Sequence, residues 1–180
     1  MRGSRPTALL IGALLCAADM VAGPPAVASV TAATAPSSSA SYAADVDGGL
    51  DQVVVDRSGY AFATNPSRDQ VEVLSLATGE LKAPITVGST PAGLDLNADE
   101  TMLYVANVYS NDISVVDLSL RREVRRIALP PAPNGGVPFS IAVTANGTAL
   151  LTRTSWGPTS EGSPTLSIDL SSGAARERRE

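Results

Sequence analysis

Three stretches of this 180-residue chain can be laid over one another. They are LDQVVVDRSGYAFATNPSRDQVEVLSLATGEL (50–81), GLDLNADETMLYVANVYSNDISVVDLSLRREV (93–124) and SIAVTANGTALLTRTSWGPTSEGSPTLSIDLSSGAA (140–175). Val55, Leu96 and Val143 coincide at spacings of 41 and 47 residues, and Leu76, Leu118 and Leu170 coincide further on, 42 and 52 apart. A unit this short cannot cover its own apolar faces, so it must stack against copies of itself. Within the second unit, strands are expected at Leu94–Leu96, Met102–Asn107, Ile113–Leu118 and Glu123–Leu129, with Val124 and Ile127 the apolar positions of the last. Turns rich in Asp, Asn, Ser or Gly separate the first two strands of each unit: Asp56–Gly59, Asn97–Glu100 and Thr144–Gly147.

Four short strands repeated with a period in the forties is the signature of a β-propeller blade. The expected fold is therefore all-β, with four-stranded antiparallel blades at about 50–91, 92–138 and 139–173. A sandwich or jelly roll would also be all β, but it would not repeat the whole four-strand unit. Closed propellers have about 4–8 blades, so about three leave the ring incomplete in one chain. Residues 176–180 read as a charged tail without the alternation of a fourth strand, which favours a chain stopped mid-blade.

The N-terminal residues carry a different signal. Arg2 and Arg5 precede an apolar run over Ala8–Ala18, and Ala26-Val27-Ala28 offers a small-x-small cleavage pattern, so 1–28 is expected to be an export signal. The run is well short of the ~20 residues that span a bilayer. Leu15 before Cys16 argues against lipidation, and cleavage after Ala28 would leave a chain with no cysteine at all. Residues 29–44, mostly Ser, Thr and Ala, read as a flexible leader. The chain has no histidine, which removes Ser-His-Asp and Cys-His machinery and ordinary zinc sites. A formal charge of −5 provides no basic face for nucleic acid.

The segment 87–129 resembles a repeat of the YVTN-type β-propeller family. The resemblance rests on the opening Val87-Gly88-Ser89-Thr90-Pro91, the strand Leu103-Tyr104-Val105-Ala106-Asn107 and the closing Ser110–Asp117. The first unit keeps Phe62-Ala63-Thr64-Asn65, and the third keeps Gly135-Gly136-Val137-Pro138 but has Leu150-Leu151-Thr152-Arg153 where the motif has Tyr and Asn. The resemblance implies a propeller whose relatives include lactone hydrolases and subunits of quinone-dependent dehydrogenases.

Ligands of propellers usually meet the loops between the second and third strands and the blade openings. Candidate ligand-binding residues are accordingly Asn107, Tyr109, Asn111 and Asp112, with Arg153 as a planar cation and Trp156 as a stacking surface. The same Asn and Asp could instead cap turns. Asp95-x-Asn97-x-Asp99 resembles the start of a calcium loop, but Glu100 stands where that loop needs glycine, so no metal is expected. No cofactor and no catalytic residue is identified. The sequence therefore points to an exported, non-catalytic binding module for a small molecule, glycan or protein, with a homo-oligomer as one way to complete the ring. The alternative is a truncated piece of a propeller hydrolase or of a quinone-dependent dehydrogenase subunit.

Overall fold

A computed structural model describes residues 7–10, 43–132, 135–154 and 165–178. Three four-stranded antiparallel sheets follow one another along the chain. Blade 1 comprises β3 (Val53–Val55), β4 (Tyr60–Asn65), β5 (Gln70–Ser75) and β6 (Leu81–Thr86). Blade 2 comprises β7 (Pro91–Leu96), β8 (Met102–Asn107), β9 (Asp112–Asp117) and β10 (Arg122–Ala128). Blade 3 comprises β11 (Val137–Val143), β12 (Thr148–Thr154), β13 (Thr165–Asp169) and β14 (Ala175–Arg178). Each sheet runs in chain order from innermost to outermost strand, and the described residues include no helix. This is the arrangement of a partial β-propeller.

Burial follows from the stacking. Strands β4, β5, β8 and β9 are buried along almost their whole length, because both faces of these sheets are covered. That requirement explains why their sequences run nearly continuously apolar or small rather than alternating. In blade 3, β12 and β13 alternate buried with accessible positions, since only the face toward blade 2 is apolar. Phe62, Val71 and Val73 of blade 1 meet Leu94, Leu103, Val105 and Val116 of blade 2. Tyr104, Ala106, Ile113 and Val115 on its other face meet Ile141, Leu151, Leu166 and Ile168 of blade 3. Burying each large aliphatic side chain stabilises the fold by about 1.5–3 kcal/mol.

Polar side chains stitch the same junctions. The Thr64 hydroxyl donates to the Ala92 carbonyl at 2.8 Å, and the Val143 amide donates to Asp95 Oδ2 at 2.7 Å. At the innermost strands the backbones themselves come close. A Cβ on Gly93 would lie 2.6 Å from the Phe139 carbonyl oxygen and 2.8 Å from Ser140 Cα, so only glycine lets β7 pack on β11.

Four features depart from the sequence reading. The charged end forms a strand: Ala175–Arg178 is β14, pairing with β13 in the register Thr165↔Arg178 to Ile168↔Ala175. An outermost strand needs ladder partners more than apolar side chains, so the absence of alternation did not preclude it. Val124 is 44% exposed rather than buried, because the register of β10 on β9 shifts between Glu123 and Arg125 and turns it outward. The inner strand β7 begins at Pro91, three residues before the expected start. Finally, β1 (Thr7–Leu10), within the segment read as an export signal, pairs with β2 (Ala43–Val46), which begins at the end of the segment read as a leader. The remainder of the leader and of the export signal, 1–6 and 11–42, lies outside the described residues.

The turn chemistry matches the sequence reading. Positive φ falls on Gly59, Glu100 and Gly147, the last residue of each expected turn. Between the third and fourth strands, Asp117 and Asp169 play equivalent parts. Each Oδ1 accepts from the backbone amide and the hydroxyl of the serine two residues on, Ser119 and Ser171, and from the next amide. These bonds, the serine hydroxyl foremost, hold Asp169 down to about 2, and Asp117 is lowered in the same way.

Two outcomes follow. Gly93→Ala should lower the melting temperature by about 5 °C or more, measured by differential scanning calorimetry, because backbone atoms cannot yield to the added methyl. Asp169 has its folded pKa depressed, so its contribution is present above the unfolded value near 4 and lost as pH falls toward about 2. Asp169→Asn should therefore melt lower than the wild type at pH 7, and the gap should narrow between pH 4 and 2.

Candidate functional site

The candidate residues occupy one end of the blades, where the β4–β5 and β8–β9 loops and the starts of β7 and β11 gather. Asn107 closes β8 and is fully buried. Its Nδ2 donates to Asp112 Oδ1 at 2.7 Å and to Ser114 Oγ at 2.9 Å. Ser114 Oγ also accepts the Gly88 amide at 3.0 Å, and Ser110 Oγ donates to Asp112 Oδ1 at 2.9 Å. A Cβ on Gly88 would lie 2.4 Å from Asn107 Nδ2, which explains the glycine in the Val-Gly-x-x-Pro opening. The motif residues thus tie the start of blade 2 to its β8–β9 loop.

Asn111 adopts the left-handed backbone (φ 51°) and its Nδ2 donates to the Leu129 carbonyl at 3.0 Å. Asp69 occupies the corresponding place in blade 1 with φ 54°, and its Oδ1 accepts the Thr90 amide at 2.7 Å. Asp112 faces Arg126 across the sheet at 3.6 Å. Arg153 is buried and directs Nη2 to the Pro130 carbonyl, with Asn111 Oδ1 at 3.4 Å. Burial lowers the pKa of its guanidinium, while Glu177 acts in the opposite sense. Asn107 and Asp112 therefore brace the β8–β9 loop against the opening of blade 2 at Gly88, whereas Asn111 and Arg153 hold the Leu129-Pro130 segment between blades 2 and 3; Arg153 Nε, Arg153 Nη1 and Asn107 Oδ1 are left without a hydrogen-bond partner. Trp156 lies outside the described residues. In the Asp95–Asp99 segment each of the three side chains accepts from nearby protein groups: Asp95 from the Val143 amide, Asn97 from the Met102 amide and Asp99 from the Thr101 amide and hydroxyl.

Tyr109 is separate from the brace. It is 79% exposed and lines a groove of about 410 Å³ at the inner edge of the three blades. Blade 1 contributes Pro66 and the residue Asp51 just before β3, blade 2 contributes Thr90, Ala92, Val108 and Tyr109, and blade 3 contributes Val137, Phe139 and Thr154. Phe139 is 39% exposed, so two aromatic rings and several aliphatic groups face solvent together. One signal for Phe139 was available: it follows Pro138 where Ala92 follows Pro91, an aromatic in place of a methyl. A wider groove of about 650 Å³ lies at the opposite ends of blades 2 and 3. Its charged groups are already engaged, Arg125 with the Leu170 and Ser171 carbonyls and Asp169 in its turn, which leaves little to recognise a ligand.

Comparison with known proteins bears on the fold. The architecture matches that of a partial propeller. A solved structure of Kuenenia stuttgartiensis hydrazine synthase superposes with a TM-score of 0.64 at 22% identity, covering 78% of this chain. The chain spans about 40% of the length of that structure. No protein-family model matches the sequence, and no curated protein is similar to it. Among the described residues, no helix is long and apolar enough to cross a membrane.

Asn107→Ala should cost about 1–3 kcal/mol in urea unfolding, because it strands the buried Asp112 carboxylate and Ser114 hydroxyl. Tyr109→Ala should cost less than about 0.5 kcal/mol.

Proposed function

We propose that this chain is a non-catalytic binding module, exported through residues 1–28, whose ligand occupies the groove formed by Tyr109 and Phe139. The observation that carries the reading is the division between buried and exposed groups. The polar motif residues are consumed in bracing loops, whereas the groove leaves two aromatic rings and an aliphatic floor open to solvent. Its volume lies in the range of pockets that hold small molecules, and the rigid sheets behind it limit the entropy lost on binding. Under this reading the chain is a member of the YVTN-type propellers, and the motif's glycine and asparagine are architectural.

A second reading, a part of a larger propeller-bearing enzyme, is favoured by the extent of the match to hydrazine synthase, of which this chain spans 40%. In that case the groove would be one wall of a site completed by other blades. Ligand-observed NMR with a panel of small aromatic fragments separates the readings. Under the first, fragments bind the full chain, and Tyr109→Ala or Phe139→Ala weakens them about ten-fold while Arg57→Ala leaves them unchanged. No binding, or binding insensitive to both aromatic substitutions, overturns it.

A further inference from the structure

We propose that the groove selects an organic cation with an apolar body, a small quaternary or tertiary ammonium carried on an aromatic or aliphatic group. This rests on the groove's being the binding site and specifies its chemistry. Among the described lining residues there is one ionisable group of definite charge, the carboxylate of Asp51, and no lysine or arginine. Asp51 is exposed, and its position is fixed through its backbone amide, which donates to the Thr64 carbonyl at 3.1 Å. Among the described residues its carboxylate accepts no hydrogen bond and forms no ion pair. Asp47, which precedes it in the same segment, is by contrast paired with Arg68 at 2.7 Å.

The remaining lining explains why a simple inorganic ion would not suffice. Pro66, Ala92, Val108 and Val137 present no oxygen side chains, and the hydroxyls of Thr90 and Thr154 are too few to replace a hydration shell. Aromatic rings, however, attract a weakly hydrated cation through the negative potential of their faces, and they do so best for alkylated ammonium groups. Tyr109 and Phe139 supply two such rings, and Asp51 supplies the countercharge. An anionic ligand would meet the Asp51 carboxylate with no cation to offset it. A neutral apolar ligand would gain the floor and the rings but nothing from the carboxylate.

Isothermal titration of the full chain with benzyltrimethylammonium, its uncharged isostere neopentylbenzene and the anion phenylacetate tests the proposal. The cation should bind about ten-fold more tightly than the isostere, and phenylacetate more weakly than either. Asp51→Asn should reduce the cation's affinity roughly five- to ten-fold and leave the isostere unaffected, and raising the salt concentration should weaken only the cation. Equal binding of cation and isostere, unchanged by Asp51→Asn, overturns the ligand class while leaving the groove as a binding site. Failure of all three probes to bind overturns both.

Discussion

Every other feature of this molecule depends on face-to-face stacking of four-stranded sheets. A single blade of some forty residues leaves two faces bare, and its ladder hydrogen bonds alone would leave it marginal. Blade 2 shows the solution in full: Leu103, Val105 and Val116 are buried against blade 1, while Tyr104, Ile113 and Val115 are buried against blade 3. Its two central strands therefore carry apolar side chains on both sides, and no single-faced alternation survives in them. The same stacking draws the innermost strands together, which is why Gly93 must lack a side chain where it meets β11.

The two end faces of the arc differ chemically from the two junctions inside it. The register pairs Tyr104 with Val115 in blade 2 and Leu150 with Ser167 in blade 3. On the outward face of blade 3, Leu150, Thr152, Thr165 and Ser167 thus stand where blade 2 has Tyr104, Ala106, Ile113 and Val115. That hydroxyl-rich face tolerates water far better than the Tyr–Ile–Val face would. At the other end, blade 1 presents small groups, Ala61 and Ala63, with Leu74, and Val46 and Leu50 pack there. Asn65 donates to the Asp47 carbonyl at 2.8 Å, and Gly48, at φ 100°, sits so close to Ser67 that a Cβ would lie 2.2 Å from its hydroxyl. The segment 46–50 is thus fitted to this face and covers it in place of a blade.

Most of the architecture was legible because it is repeated. The period, the four strands of the second unit and the turn residues all derive from local chemistry that recurs, so each copy corroborates the others. Where position rather than pattern decides, the sequence was silent. The strand β14 has the composition of a tail, and only the availability of β13 as a partner makes it a strand. Val124 turns outward because of a bulge that apolarity cannot reveal. The candidate site was legible in part: Asn107 meets Asp112 and Arg153 meets Asn111, but each pair is engaged in holding nearby backbone and loops. Tyr109 belongs to a groove whose other aromatic, Phe139, and whose carboxylate, Asp51, come from different blades, 30 residues after it and 58 before it. No local pattern could join them.

The separation of these two groups has a physical basis. A residue that holds a loop spends its bonding groups on that loop, and a residue that meets a ligand must keep its contact surface free. Asn107 and Asp112 could not do both, because each bond turned outward would be withdrawn from the loop between β8 and β9. Tyr109 is carried by that same loop, so the buried brace fixes the position of the exposed ring without touching it. Phe139 is fixed in turn by β11, whose distance from β7 is set by Gly93. The aromatic pair can therefore face solvent without collapsing onto each other's blades, and the groove between them stays open because the polar residues behind it are closed.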